Sequence, residues 1–209
     1  MYEPTKLHSD LAYFEDEVQE IMRRPVVKDS ALFYGSSSIR LWGVERLARD
    51  MAPVVALNHG IGGSTADQCL YRYGELVKPY APKLLVWYCG TNDIALGYTP
   101  EEAFALSLRV FEWTRRDNPE CKILALSVMH NRSRERIYPQ HLILNELLKW
   151  YCRDNEFARH VDLIETLCHD KDGQVRGDIF MPDELHLNDK GYAELAAIVR
   201  PAVLDMMGV

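Results

Sequence analysis

Short, mainly apolar runs alternate along this chain with stretches whose apolar residues recur at helical spacing. The runs are Ala31–Tyr34, Val54–Leu57, Leu84–Cys89, Ile123–Met129 and Val161–Ile164. They show little polar alternation, as expected of strands buried on both faces. The intervening stretches predict amphipathic helices. Leu11, Phe14, Val18, Ile21 and Met22 recur with acidic residues between them, and this helix ends before Pro25. A short helix is expected over Val44–Arg49, and another carries Ala66, Leu70, Tyr73 and Val77. Thr99-Pro100-Glu101-Glu102 reads as a helix start, with Thr99 as N-cap, Pro100 at the first position and Glu102 closing a capping box. That helix runs to about Arg116; later ones carry Leu142 to Tyr151 and Tyr192 to Val199. Strands alternating with helices predict a parallel sheet covered on both faces. Right-handed crossovers then bring every strand-to-helix loop to one edge.

Size and charge narrow the class. A chain of 209 residues suits one domain, 1–209, with residues 1–30 as an N-terminal helix and lead-in packed on it. The 47% hydrophobic and 26% charged residues are ordinary globular composition. A net charge of −7 leaves no basic footprint for nucleic acid. No stretch has the continuous apolar length of a membrane span, and the N-terminus lacks the apolar region of a secretory signal. Five cysteines, Cys69, Cys89, Cys121, Cys152 and Cys168, match neither CxxC nor zinc-ligand spacing. Free thiols in the cytoplasm are the expectation.

Candidate chemistry gathers at the strand ends. Gly35 stops the first run and Ser36-Ser37-Ser38 follow before Ile39, Leu41 and Trp42 start a helical pattern. A serine there stands at the carboxyl edge of the sheet, beside a helix N-terminus whose free N–H groups favour a developing anion. The plain alternative is a turn with a serine cap. Serine needs a base, and His186, with Asp183 three residues before it, is the best candidate. Gly63 can bring a backbone N–H close to a substrate, and Asn92 offers a side-chain amide, so both suit an oxyanion. A tight turn and a cap are the competing readings for these two. His59 and His130 also stand at strand ends and are candidate substrate contacts, as are Arg132, Arg134 and Arg136 in the following loop. His8, His141, His160 and His169 read as surface residues, and Asp16, Glu17 and Glu20 as a solvated helix face.

Taken together, four blocks resemble the SGNH (GDSL-type) hydrolases: Gly35-Ser36-Ser37-Ser38-Ile39, Asn58 to Thr65, Gly90-Thr91-Asn92-Asp93 and Asp183-Glu184-Leu185-His186. The Gly60-Ile61-Gly62-Gly63 loop is most similar to the platelet-activating-factor acetylhydrolase-like branch. The resemblance implies a flavodoxin-like three-layer α/β/α sandwich around a mainly five-stranded sheet. It implies Ser37 as nucleophile, His186 as base, Asp183 as its orienting partner, and Gly63, Asn92 and the Ser37 N–H as oxyanion donors. The first block departs from Gly-Asp-Ser, with Ser36 where the family has Asp. Keeping Gly35 and Trp42 in register selects Ser37 among the three serines. The expected reaction is two-step acyl transfer on a small-molecule ester of a short acid such as acetate, with no metal or cofactor; homo-oligomers are compatible with it. An acyltransferase with a sugar or other alcohol as acceptor would use the same residues. A non-catalytic anion- or sugar-binding module is the rival outside enzymes. No Gly-x-Ser-x-Gly elbow supports a classical α/β-hydrolase.

Overall fold

The computed structural model describes residues 9–209; the lead-in before Ser9, including His8, lies outside the described residues. The elements follow in the order α1 (Glu15–Met22), β1 (Ala31–Gly35), α2 (Ser37–Trp42), α3 (Val44–Met51), β2 (Ala56–Gly60), α4 (Ala66–Leu76), β3 (Leu84–Tyr88), α5 (Thr91–Ala95), α6 (Pro100–Asp117), β4 (Lys122–Leu126), α7 (Tyr138–Arg153), β5 (Ala158–Val161) and α8 (Asp189–Met207). The five strands form one parallel sheet in the order β2-β1-β3-β4-β5.

Alternation along the strands splits the core in two. Leu32, Tyr34, Leu85, Trp87, Ile123 and Ala125 face a layer built by α1, α4, α6 and α7. Ala31, Phe33, Leu84, Val86, Leu124 and Leu126 face α2, α3 and α8. Both faces are therefore covered, which is why the strands carry apolar residues at consecutive positions. The result is the flavodoxin-like three-layer sandwich. Because the chain leaves β1 for β2 on one side and returns to β3 on the other, the order reverses at β1. A ligand crevice is expected outside the carboxyl ends of β1 and β3.

Several boundaries differ from the sequence reading, each for a local reason. The fourth strand ends at Leu126, before Met129. Beyond it, the Asn145 side chain takes over pairing of Val128, accepting from its N–H at 2.7 Å and donating to its carbonyl at 3.0 Å. The fifth strand lies earlier, at Ala158–Val161. After it, Ser127 Oγ accepts from Leu163 N–H and Asp162 Oδ1 from Ile164 N–H, turning the chain into a π-helical segment over Ile164–Cys168. The second strand continues through Asn58-His59-Gly60, which read as its stop. The first helix begins at Glu15 rather than at Leu11. The Thr99 capping box forms as expected, with Thr99 Oγ1 accepting from Glu102 N–H at 3.2 Å and Glu102 Oε2 from Thr99 N–H at 2.8 Å. His141 is a correction: it is buried on α7, on the face that carries Leu144 and Leu148. All five cysteines are free and buried. Among the described residues no helix is long and apolar enough to cross a membrane.

Candidate active site

The turn after β1 is held too tightly for a side chain at its first position. Gly35 has φ +140°, and a Cβ there would lie 1.9 Å from the Tyr88 carbonyl oxygen. Ser36 N–H then donates to that same carbonyl at 3.0 Å, so the tips of β1 and β3 are joined. This leaves Ser37 as the first residue of α2. Of the three serines, Ser37 alone meets the histidine: its Oγ lies 3.0 Å from His186 Nε2, across 149 positions of sequence. Ser36 is fully buried and its Oγ has no hydrogen-bond partner, in the place where the family resemblance expects an aspartate. Ser38 is also buried.

His186 reaches this edge on the loop before α8. Glu184 takes a left-handed φ of +54°, and the loop is tied by Met181 N–H to the His186 carbonyl at 2.7 Å and by Ser133 N–H to the Glu184 carbonyl at 3.2 Å. Asp183 accepts three hydrogen bonds. Its Oδ2 faces His186 Nδ1 at 2.7 Å, and its Oδ1 takes the backbone N–H groups of Leu185 and His186, each at 3.0 Å. Burial raises the Asp183 carboxyl, but these bonds together outweigh it and hold its pKa down to about 2. An ionised Asp183 fixes the proton of a neutral ring on Nδ1. Nε2 is then left with a lone pair to accept the Ser37 hydroxyl proton.

The second and third blocks meet at the end of β1. Ile61 N–H and Ser64 Oγ–H both donate to the Gly35 carbonyl, at 2.8 and 3.3 Å, so the glycine loop closes onto the end of β1. Asn92 Nδ2 donates one proton to the Ser64 carbonyl at 3.0 Å and keeps its second for another acceptor. Gly63 adopts φ +80° at the exposed crest of that loop. Beneath it, the fully buried Asp93 accepts the Ala66 N–H at 2.8 Å. Burial, reinforced by the negative charge of Asp67, raises the Asp93 carboxyl to about 7.

The remaining candidates fare differently. His59 is a correction: strand alternation turns it into the layer under α4, where its Nδ1 bonds the Leu76 carbonyl at 2.7 Å and its ring abuts Tyr80. Burial depresses its pKa to about 4. His130 has both nitrogens engaged, Nδ1 with His169 at 2.8 Å and Nε2 with Glu135 at 2.9 Å, and stacks on Tyr138. Arg134 is half-buried on the segment Arg132–Ile137, between α5 and the Asp183 loop, and its Nε has no hydrogen-bond partner. Arg132 borders an open cleft of about 350 Å³ with Glu184, Phe180 and Met181, residues of the loop that carries Asp183 and His186. One residue the sequence reading left in solvent proves engaged at the site: Glu17 Oε2 accepts the Gly62 N–H at 2.6 Å. Its acidic neighbours at helical spacing gave no signal of that role.

The model of the GDSL-like Lipase/Acylhydrolase family matches residues 27–194. The chain belongs to that family. It is an acylhydrolase-type enzyme, and its relatives agree. It is 28% identical over 181 residues to the platelet-activating factor acetylhydrolase IB subunit alpha2 of Rattus norvegicus, covering 84% of this chain and 76% of that one. A Streptococcus pneumonia structure, described provisionally as a platelet activating factor, superposes with a TM-score of 0.80 at 20% identity, covering 92% of this chain and 94% of the other. A GDSL-like lipase from Bacteroides thetaiotaomicron gives 0.75 at 20% identity, with 94% and 99% covered. These two likenesses speak to the fold alone.

Proposed function

We propose that this acylhydrolase is a serine esterase acting on a carboxylic ester of a short acid such as acetate. The observation that carries the reading is the continuous chain from Ser37 Oγ through the His186 ring to Asp183, at 3.0 and 2.7 Å. In this reading Ser37 attacks the carbonyl carbon while His186 Nε2 takes its proton. The tetrahedral oxyanion rests on the free Asn92 amide proton, the Gly63 N–H and the Ser37 N–H at the start of α2. Collapse breaks the bond to the leaving alcohol, to which His186 returns the proton. Water then gives a proton to His186 as its oxygen bonds the acyl carbon; the bond to Ser37 Oγ breaks, His186 returns the proton to that oxygen, and the acid leaves. The preference for a short acyl group is supported by relatives named acetylhydrolases.

Labelling with a fluorophosphonate tests the nucleophile. Ser37→Ala is expected to abolish it, whereas Ser36→Ala and Ser38→Ala retain it; labelling that survives in Ser37→Ala removes this mechanism. A series of esters of increasing acyl length, acetylated sugars included, tests the substrate. A turnover that rises with chain length would overturn the short-acyl assignment.

A further inference from the structure

The helix α1 precedes β1 in the chain and reaches the loop that carries Gly63. It is fixed from both ends. Glu15 pairs with the buried Arg72 on α4 at 2.6 Å, and Arg24, just past the helix, donates to the Asn58 carbonyl at 2.9 Å. Val18 and Ile21 anchor it in the core. Between these anchors Glu17 is held against the glycine loop, with Oε2 on the Gly62 N–H at 2.6 Å and Oε1 3.7 Å from Arg40 Nη1. Arg40 sits three residues after Ser37, on the same helix. Its guanidinium covers Gly62 so closely that a Cβ there would lie 2.6 Å from Arg40 Nε and 2.9 Å from Cζ. Phe14 borders the next residue, its ring edge 3.8 Å from where a Gly63 Cβ would stand.

One carboxylate thus bridges the helix of the candidate nucleophile and the loop of a candidate oxyanion donor. We propose that Glu17 is a positioning residue: by holding the Gly62 N–H while paired to Arg40, it sets the direction of the Gly63 N–H relative to Ser37. This inference rests on the esterase reading and adds a residue to it. The physical reason is economy of freedom. Gly62 and Gly63 are the two most permissive residues of the loop, so the Gly62–Gly63 peptide, which carries the Gly63 N–H, would otherwise sample many orientations. A hydrogen-bond donor assists the transition state only when it is aimed before the charge develops. A carboxylate acceptor makes a stronger bond than a neutral one; Glu17 thereby fixes the Ile61–Gly62 peptide, and the Arg40 guanidinium packed on Gly62 limits the turn from it to the peptide that carries the Gly63 N–H. Both Glu17 and Arg40 are partly exposed, at 35% and 47%, so as an ion pair they add little to stability. Their effect belongs to rate.

The test separates positioning from folding. For Glu17→Ala, kcat on p-nitrophenyl acetate is expected to fall roughly ten- to a hundredfold, less than for outright loss of an oxyanion donor, with KM nearly unchanged. The thermal midpoint is expected to stay close to that of the parent. Glu17→Gln keeps an acceptor oxygen for Gly62 and should recover most of the loss. The Gly62 amide resonance should move upfield in Glu17→Ala and stay in place in Ser37→Ala. An unchanged kcat, a Gln variant as poor as the Ala variant, an unmoved Gly62 resonance, or a loss that tracks a lowered midpoint would each overturn the proposal. A parent protein that turns over no ester and leaves Ser37 unlabelled would instead bring down the esterase reading, and this role with it.

Discussion

Replacing Asp183 with asparagine changes one atom and should reverse the polarity of the proton relay. The carboxylate Oδ1 accepts from Leu185 N–H and His186 N–H, each at 3.0 Å, so an asparagine must keep its carbonyl oxygen there. Its NH2 group then faces His186 Nδ1, where Asp183 Oδ2 now stands at 2.7 Å. An NH2 can only donate, so Nδ1 must accept and the ring proton moves to Nε2. A protonated Nε2 cannot take the proton of Ser37. The same substitution in a triad with this polarity costs about 10⁴ in turnover, and a loss on the order of 10³–10⁴ is expected here. Stability should survive. The lowering of the Asp183 pKa from 3.8 to about 2 is equivalent to about 2.4 kcal/mol, but the side chain is 46% exposed, and solvent screening cuts this to about 1 kcal/mol. That stabilisation is present above the ordinary carboxylate range and is lost as pH falls through about 2. The assay is kcat/KM on p-nitrophenyl acetate at pH 7.5, with circular dichroism to confirm the fold. Asp183→Ala imposes no tautomer and should lose less than Asp183→Asn. An Asn variant within tenfold of the parent, or an Ala variant worse than the Asn one, would refute the argument.

Two further predictions follow from neighbouring groups. Asn92→Ala removes the amide proton offered to the oxyanion, and is expected to lower turnover by about 10²–10³; single-turnover kinetics with an activated ester will check it. Asp93 is a buried carboxyl raised from 3.8 to about 7, so between those values the folded chain holds a proton that the unfolded chain has released. Stability should therefore decline as pH rises across that window. Asp93→Asn keeps an oxygen for the Ala66 N–H and should flatten the decline in thermal melts at pH 4, 5.5 and 7; equal slopes would count against the assignment.

Local signals carried much of the architecture into the sequence. Continuous apolar runs marked buried parallel strands because each face of the sheet is covered, and the Thr99 box marked a helix start because its bonds close within four residues. The first three site blocks were legible for a related reason, since each sits at a strand end where the topology forces convergence, whereas Asp183 and His186 lie on the loop before α8. Signals without a local partner failed. The fourth strand stops where the Asn145 side chain, reaching over from α7, takes the pairing of Val128. His59 turns inward by the parity of β2, which can be assigned only when the strand's true span is known.

What the sequence alone determined is the class of fold and the set of residues suited to acyl transfer, because both depend on periodicity and on residue types next to strand ends. Register with the family block already selected Ser37 among three adjacent serines; tertiary structure supplied the contact, because a helix start aims neighbouring side chains in different directions and Ser37 Oγ is the one that meets His186. Tertiary structure also decided that Glu17 belongs to the glycine loop rather than to solvent. A carboxylate on an amphipathic helix reads alike in either setting until the opposing N–H is in place.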